Sequence, residues 1–135
     1  MATSVLTTLP GAVRRTSLRT ALALDAAVTG ANGAAYLIAA EPLGDLLGLS
    51  PVLLRVLGAA LVAFAAAVAL TARRPAIPRP AALAIVAVNA TWALAGVALA
   101  GGGWMSPTTF GTVWIVAQAL VVAGFAQLQS AALKR

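Results

Sequence analysis

Four apolar stretches, at roughly residues 18–40, 51–72, 81–100 and 107–128, limit what this chain can become more than any other feature. Each is close to the about 20 residues that a helix needs to cross a hydrocarbon core. An open sheet is ruled out in such a setting, because lipid offers nothing to bond the unpaired backbone groups. A barrel would show alternating strands of about ten residues, and the chain has none of that alternation. The expected fold is all-α, an integral membrane four-helix bundle over residues 18–135 that follows a cytoplasmic N-terminal tail, 1–17. Composition agrees with a lipid solvent: 61% of the residues are hydrophobic and 9% are charged, where soluble domains carry about 25% charged residues.

The segments between the spans carry the punctuation. "RRPAIPRPA" (73–81) packs three arginines and three prolines into one turn, and proline ends helices by removing a donor and crowding the preceding turn. "EPLGDLLGLSP" (41–51) is longer, and its leucines suit a short helix lying along the interface. "GGGWMSPTT" (101–109) reads as a flexible turn with an interfacial Trp104. Ser50-Pro51 and Ser106-Pro107 make the same start signal, an N-cap serine with proline at the first helical position.

Eight of the nine basic residues fall on one side: Arg14, Arg15, Arg19, Arg73, Arg74, Arg79, Lys134 and Arg135. The positive-inside rule makes that side cytoplasmic, with both termini inside a bacterial cytoplasmic (inner) membrane. The net charge of +6 is spread over span ends rather than one polar face, so it points away from nucleic acid. Arg14, Arg15, Arg19, Arg73, Arg74 and Arg79 are placed to meet anionic lipid headgroups. Arg55 stands alone on the opposite side near Glu41 and Asp45, as a snorkelling interfacial ion pair or, alternatively, an anion site. The basic residues before the first apolar run imitate a signal peptide. That run contains Asp25 and Asn32 and continues too far for an h-region, so it reads as a retained span.

Shifting the chain by 56 residues sets Ser50-Pro51 on Ser106-Pro107 and Tyr36 on Trp92. A two-helix hairpin repeated in tandem would do this and would give halves of the same orientation. Alanine-rich sequence also aligns by chance, and both explanations stay open.

With no Cys and no His, disulfides, thiolate chemistry, the usual zinc and haem ligand sets and imidazole catalysis are excluded. No cofactor or metal is expected. Only three carboxylates exist, and they form no metal pair or nucleophile–base arrangement, so the expectation is not an enzyme.

The chemistry that remains lies in the spans. Asp25, Thr29, Asn32 and Tyr36 follow at i, i+4, i+7 and i+11 and fall within about 60° of one helix face. Such a stripe avoids lipid by facing the bundle interior. Asp25 is either the titrating group of a proton- or cation-coupled site or a structural partner of Arg73, Arg74 or Arg79. Asn89 shares a face with Ala93, Gly96 and Ala100, where a second helix can approach closely, and it would bond Asn32 or Gln118. Gln118 is deep in its span and should face protein. Trp92, mid-span, is a packing anchor or a cavity wall. Gln127 and Gln129 lie near the span exit within reach of water and receive no role. In the second span Gly58, Ala59, Val62, Ala66 and Ala69 form a smooth face for packing against another span or a partner subunit.

"LALDAAVTGANG", "LGLSPVLLRVLGA", "VNATWAL" and "FAQLQSAALKR" resemble a family of small four-span integral membrane proteins of GC-rich bacteria, over residues 18–135. That resemblance implies the four-helix architecture and carries no activity. Asp25 sits where small multidrug-resistance transporters hold a first-span carboxylate, although theirs is glutamate and their third-span glycine motif differs from "VNATWALAG". The "LGL…G" texture before a glycine-bearing second helix is similar to DoxX-like membrane proteins. The leading expectation is a non-enzymatic, homo-oligomeric or accessory scaffold subunit of a membrane complex. The alternative is a small proton- or cation-coupled transporter or channel with Asp25 as its titrating residue.

Overall fold

The computed structural model describes residues 17–103 and 106–134, and all their regular structure is helical. The Ser17 hydroxyl accepts the Thr20 amide and starts α1 (Leu18–Ile38). After Ala39 comes α2 (Ala40–Leu47), the short helix anticipated from the leucine spacing. It ends at Gly48, whose φ of 71° lies in the left-handed region that glycine enters without a Cβ penalty. Ser50 then caps α3 (Pro51–Ala72) by accepting the Leu53 amide, with Pro51 at the first helical position as expected. α4 (Arg79–Gly101) follows the proline-rich turn, and α5 (Thr109–Leu133) completes the set. α1, α3, α4 and α5 are each long and apolar enough to cross a membrane.

Ser106-Pro107 does not start the last span. Thr108 is its cap, and its hydroxyl accepts the Gly111 amide at 3.0 Å. The cause is a tertiary bond that local sequence does not reveal. The Thr108 amide donates to Leu47 O at 3.0 Å and its hydroxyl to Leu46 O at 2.8 Å, so the free carbonyls of α2 set where α5 begins. Gly111 lets the α2 terminus sit against it, since a Cβ there would meet the Leu47 carbonyl. The span accordingly runs to Leu133 rather than 128.

The molecule is two hairpins, α1 with α3 and α4 with α5, joined mainly across α1 and α5; α3 and α4 barely touch. The first hairpin closes where Gly33 meets Gly58. A Cβ on Gly33 would lie 2.9 Å from Gly58 O, and one on Gly58 would lie 2.8 Å from Gly33 O, so both backbones need glycine to approach. Gly58 thus packs as expected, whereas Ala59 and Ala66 are exposed. The buried face of α3 is Leu54, Gly58, Leu61, Ala65, Val68 and Ala72. The expected alanine face was rotated from this one, because in a helix apolar all round small residues do not mark the inward side. Gly96 faces α5, with Ala119 and Ile115 beside it.

Two apolar clusters close the ends of the bundle. Leu22, Val68, Ala72 and Ile85 pack at the arginine-rich end, and Tyr36, Ala40, Leu54 and Leu61 at the α2 end. Outward, Ile38, Val52, Leu70, Leu94 and Leu120 are well exposed, a surface that suits lipid rather than water. Of the four spans α1 is the most enclosed, with 33% of its apolar window buried against 11% for α5. Arg55 and Glu41 form the expected ion pair, 3.5 Å apart and open to solvent.

Candidate functional site

The helical spacing on α1 brings Asp25 to the interior, where it is 1% exposed. One turn on, the Thr29 hydroxyl donates to its Oδ1 at 2.8 Å. From α4 the Asn89 amide donates to Oδ2 at 2.7 Å, and from α5 the Gln129 amide donates to the same oxygen at 2.8 Å. Asn89 Nδ2 also reaches Gln129 Oε1 at 3.1 Å, so three spans converge on one carboxyl group. Among the described residues no buried side-chain nitrogen or oxygen is left without a partner.

The bonding pattern has a chemical consequence. Oδ2 is occupied by two amide donors, but the partner of Oδ1 is a hydroxyl, which either donates or accepts. With Asp25 ionised, Thr29 donates to Oδ1. With a proton on Oδ1, the acid donates to the Thr29 oxygen instead, and no heavy atom has to move. The Oδ1–Thr29 bond therefore survives with its direction reversed, while the Thr29 hydroxyl hydrogen turns away from Asp25.

Among the described residues no arginine pairs with Asp25, so the expected partnership with Arg73, Arg74 or Arg79 is not made. Six residues separate Asp25 from Arg19, which places them about 120° apart around α1. Arg19 turns instead to the end of α3, where it donates to Ala72 O and to Pro75 O. Arg79 similarly donates to Leu133 O of α5 at 2.9 Å. Each guanidinium meets the bare carbonyls at a helix C-terminus, where cations are favoured. Arg73 and Arg74 are exposed, and Arg14, Arg15 and Trp104 lie outside the described residues.

The remaining polar stripe is also bonded inward. Asn32 Nδ2 donates to Gln118 Oε1 at 2.9 Å, and Trp114 Nε1 donates to the Tyr36 hydroxyl at 2.8 Å. Three polar tiers thus tie α1 to α5. Asn89 bonds neither Asn32 nor Gln118, which take each other; it reaches Asp25 and Gln129 at the lower tier.

Gln129 is the residue that sequence reasoning missed. Proximity to the span end pointed to water, yet it is completely buried. Its signal was periodic: Trp114, Gln118, Phe125 and Gln129 fall within about 60° of one another on α5.

Beside these tiers all four spans line a partly open cavity of about 170 Å³. Thr29, Asn32, Asn89 and Gln118 supply its polar part, and Phe64, Trp92 and Phe125 much of its apolar wall. Trp92 is both things expected of it, packed against the cluster around Leu61 and forming cavity wall. The thin, alanine-rich helices leave more interior space than their composition implied, because α3 and α4 barely touch.

Comparison with protein-family models, with curated proteins and with solved structures finds no match, so none of it bears on the resemblances drawn from the sequence.

Proposed function

We propose that this protein is a non-enzymatic membrane carrier of small solutes, proton- or cation-coupled, with Asp25 as the group that gains and loses the proton. One observation carries this reading: a buried carboxyl held, among the described residues, only by neutral partners, one of them a hydroxyl that can donate or accept, beside a cavity reached by all four spans. Intramembrane carboxyl groups are rare and mark proton and ion routes, so a functional role is the default reading for one. In this reading the protein sits in the bacterial cytoplasmic membrane with both termini inside. The exposed Arg73 and Arg74 face anionic headgroups, worth about 1 kcal/mol each near the surface.

The test is reconstitution into liposomes containing a pH-sensitive dye, with proton entry driven by a potassium diffusion potential. Wild type should admit protons, and Asp25→Asn should stop the flux while remaining monodisperse. A wild type that moves neither protons nor cations, with Asp25→Asn changing only stability, overturns the carrier.

The exposed, smooth Ala59 and Ala66 favour a second reading, a self-associating or accessory subunit of a larger complex. Its discriminating measurement is a copy and partner count by native mass spectrometry. A stable assembly without flux supports the subunit reading.

A further inference from the structure

The cavity offers more hydrogen-bonding capacity than the protein itself uses. Asn89 Nδ2 is taken by Asp25 and Gln129, but its Oδ1 has no partner among the described residues; because no fully enclosed polar atom there is unpartnered, this oxygen is open, in a residue that lines the cavity. Gln118 Oε1 accepts from Asn32, which leaves Gln118 Nε2 and Asn32 Oδ1 likewise open. All three residues line the cavity, so its polar part presents one amide donor and two carbonyl acceptors, each uncharged. Asp25 lies behind Thr29 and Asn89 and does not itself line the cavity, so an occupant meets uncharged groups first.

Size narrows the occupant. At about 170 Å³ the cavity is slightly larger than the roughly 150 Å³ apolar cavity that holds a benzene ring. Its aromatic walls, Phe64, Trp92 and Phe125, suit the faces of such a ring.

The way in is lateral. α3 and α4 have the weakest contact of the neighbouring spans, and their cavity residues Ala60 and Val88 are both exposed. Val88 and Trp92 also belong to a shallow hollow on α4 that continues along Ala87, Thr91 and Ala95. Cavity and hollow therefore share a rim at the seam facing lipid.

We propose that this cavity binds the ring-sized, uncharged, hydrogen-bonding head of an amphiphile dissolved in the bilayer, which enters between α3 and α4 and leaves its tail in the hollow on α4. This names the substrate class of the carrier reading and rests on that reading for turnover, though not for binding.

The experiment uses the full chain in lipid nanodiscs with 4-hexylphenol as the probe and hexylbenzene, which lacks only the hydroxyl, as the control. Binding is read as a saturable rise in the thermal unfolding midpoint. The phenol should bind about tenfold more tightly than hexylbenzene, the equivalent of one net hydrogen bond. Gln118→Leu, which removes the amide donor but leaves the Asn32 and Asn89 carbonyls, should narrow that preference, and Gln118→Leu with Asn32→Leu should narrow it further. Ala60→Phe, which fills the seam without touching a polar group, should weaken both compounds. Equal shifts from the two compounds in wild type and every variant would mean partition into lipid alone and would overturn the site. Saturable phenol binding without proton flux keeps the site and removes the carrier; flux without such binding does the reverse.

Discussion

Replacing Gln129 by leucine removes one donor and one acceptor from the Asp25 cluster while nearly preserving side-chain volume. The lost contacts are the 2.8 Å bond to Asp25 Oδ2 and the 3.1 Å bond from Asn89. Interhelical hydrogen bonds in membranes average about 0.6 kcal/mol and reach about 1.7, so the two together predict a loss of about 1–3 kcal/mol. The gross loss is larger, but Asp25 keeps Thr29 and Asn89, and unpaired groups find partners in the unfolded state too. Reversible unfolding in mixed lipid–detergent micelles, followed by circular dichroism, measures the difference. Gln127→Leu is the matched control: Gln127 is exposed, and its loss should stay within about 0.5 kcal/mol. Because Gln129 and Asn89 share one network, Gln129→Leu with Asn89→Leu should cost less than the sum, with a coupling of about 0.5–3 kcal/mol. Equal stabilities for the two glutamine variants, or strict additivity with Asn89→Leu, would refute the cluster as drawn.

The glycines of α5 make a contrasting pair in the same unfolding assay. A Cβ on Gly111 would meet the Leu47 backbone, with its carbonyl carbon at 2.8 Å, so Gly111→Ala should cost about 1–3 kcal/mol, whereas Gly124, with nothing within 4 Å, should tolerate alanine or gain slightly. Tyr36→Phe keeps the ring but deletes the acceptor of the Trp114 bond, and should cost about 0.6–1.7 kcal/mol; Trp114→Phe deletes the same bond and part of the indole as well, so it should cost more, and the double variant should show the shared term.

The spans, their caps and the inward stripe on α1 were legible because each depends on local chemistry. Apolar length defines a crossing helix, Ser50-Pro51 starts one, and i, i+4, i+7, i+11 spacing gathers polar groups whatever they later meet. What stayed hidden depends on which helices become neighbours. Asn89 had four amide side chains in other spans to choose from, Asn32, Gln118, Gln127 and Gln129, and nothing local distinguishes a bond to Gln118 from one to Gln129. The cap of α5 moved from Ser106 to Thr108 because carbonyls of α2, about 60 residues earlier, held the threonine. The inward face of α3 was illegible for a different reason: with apolar residues all round, hydrophobicity carries no direction. There the useful mark was Gly33 opposite Gly58, a close approach that needs both partners to be known.

The bond between Gln129 and Asp25 spans 104 positions of the chain, and this gives assembly an order. Once α1 and α3 have been inserted and paired, Asp25 has Thr29 on its own helix and nothing from the second hairpin. Asn89 can reach it only after α4 arrives, and Gln129 only after almost the whole of α5 has entered the membrane. The first hairpin must therefore wait in lipid with a half-satisfied carboxyl group, and docking of the second hairpin closes all three polar tiers together. Such a half-built chain is conspicuous: it shows an incomplete hydrogen-bond shell inside the bilayer, the kind of defect by which an unfinished membrane protein can be told from a finished one.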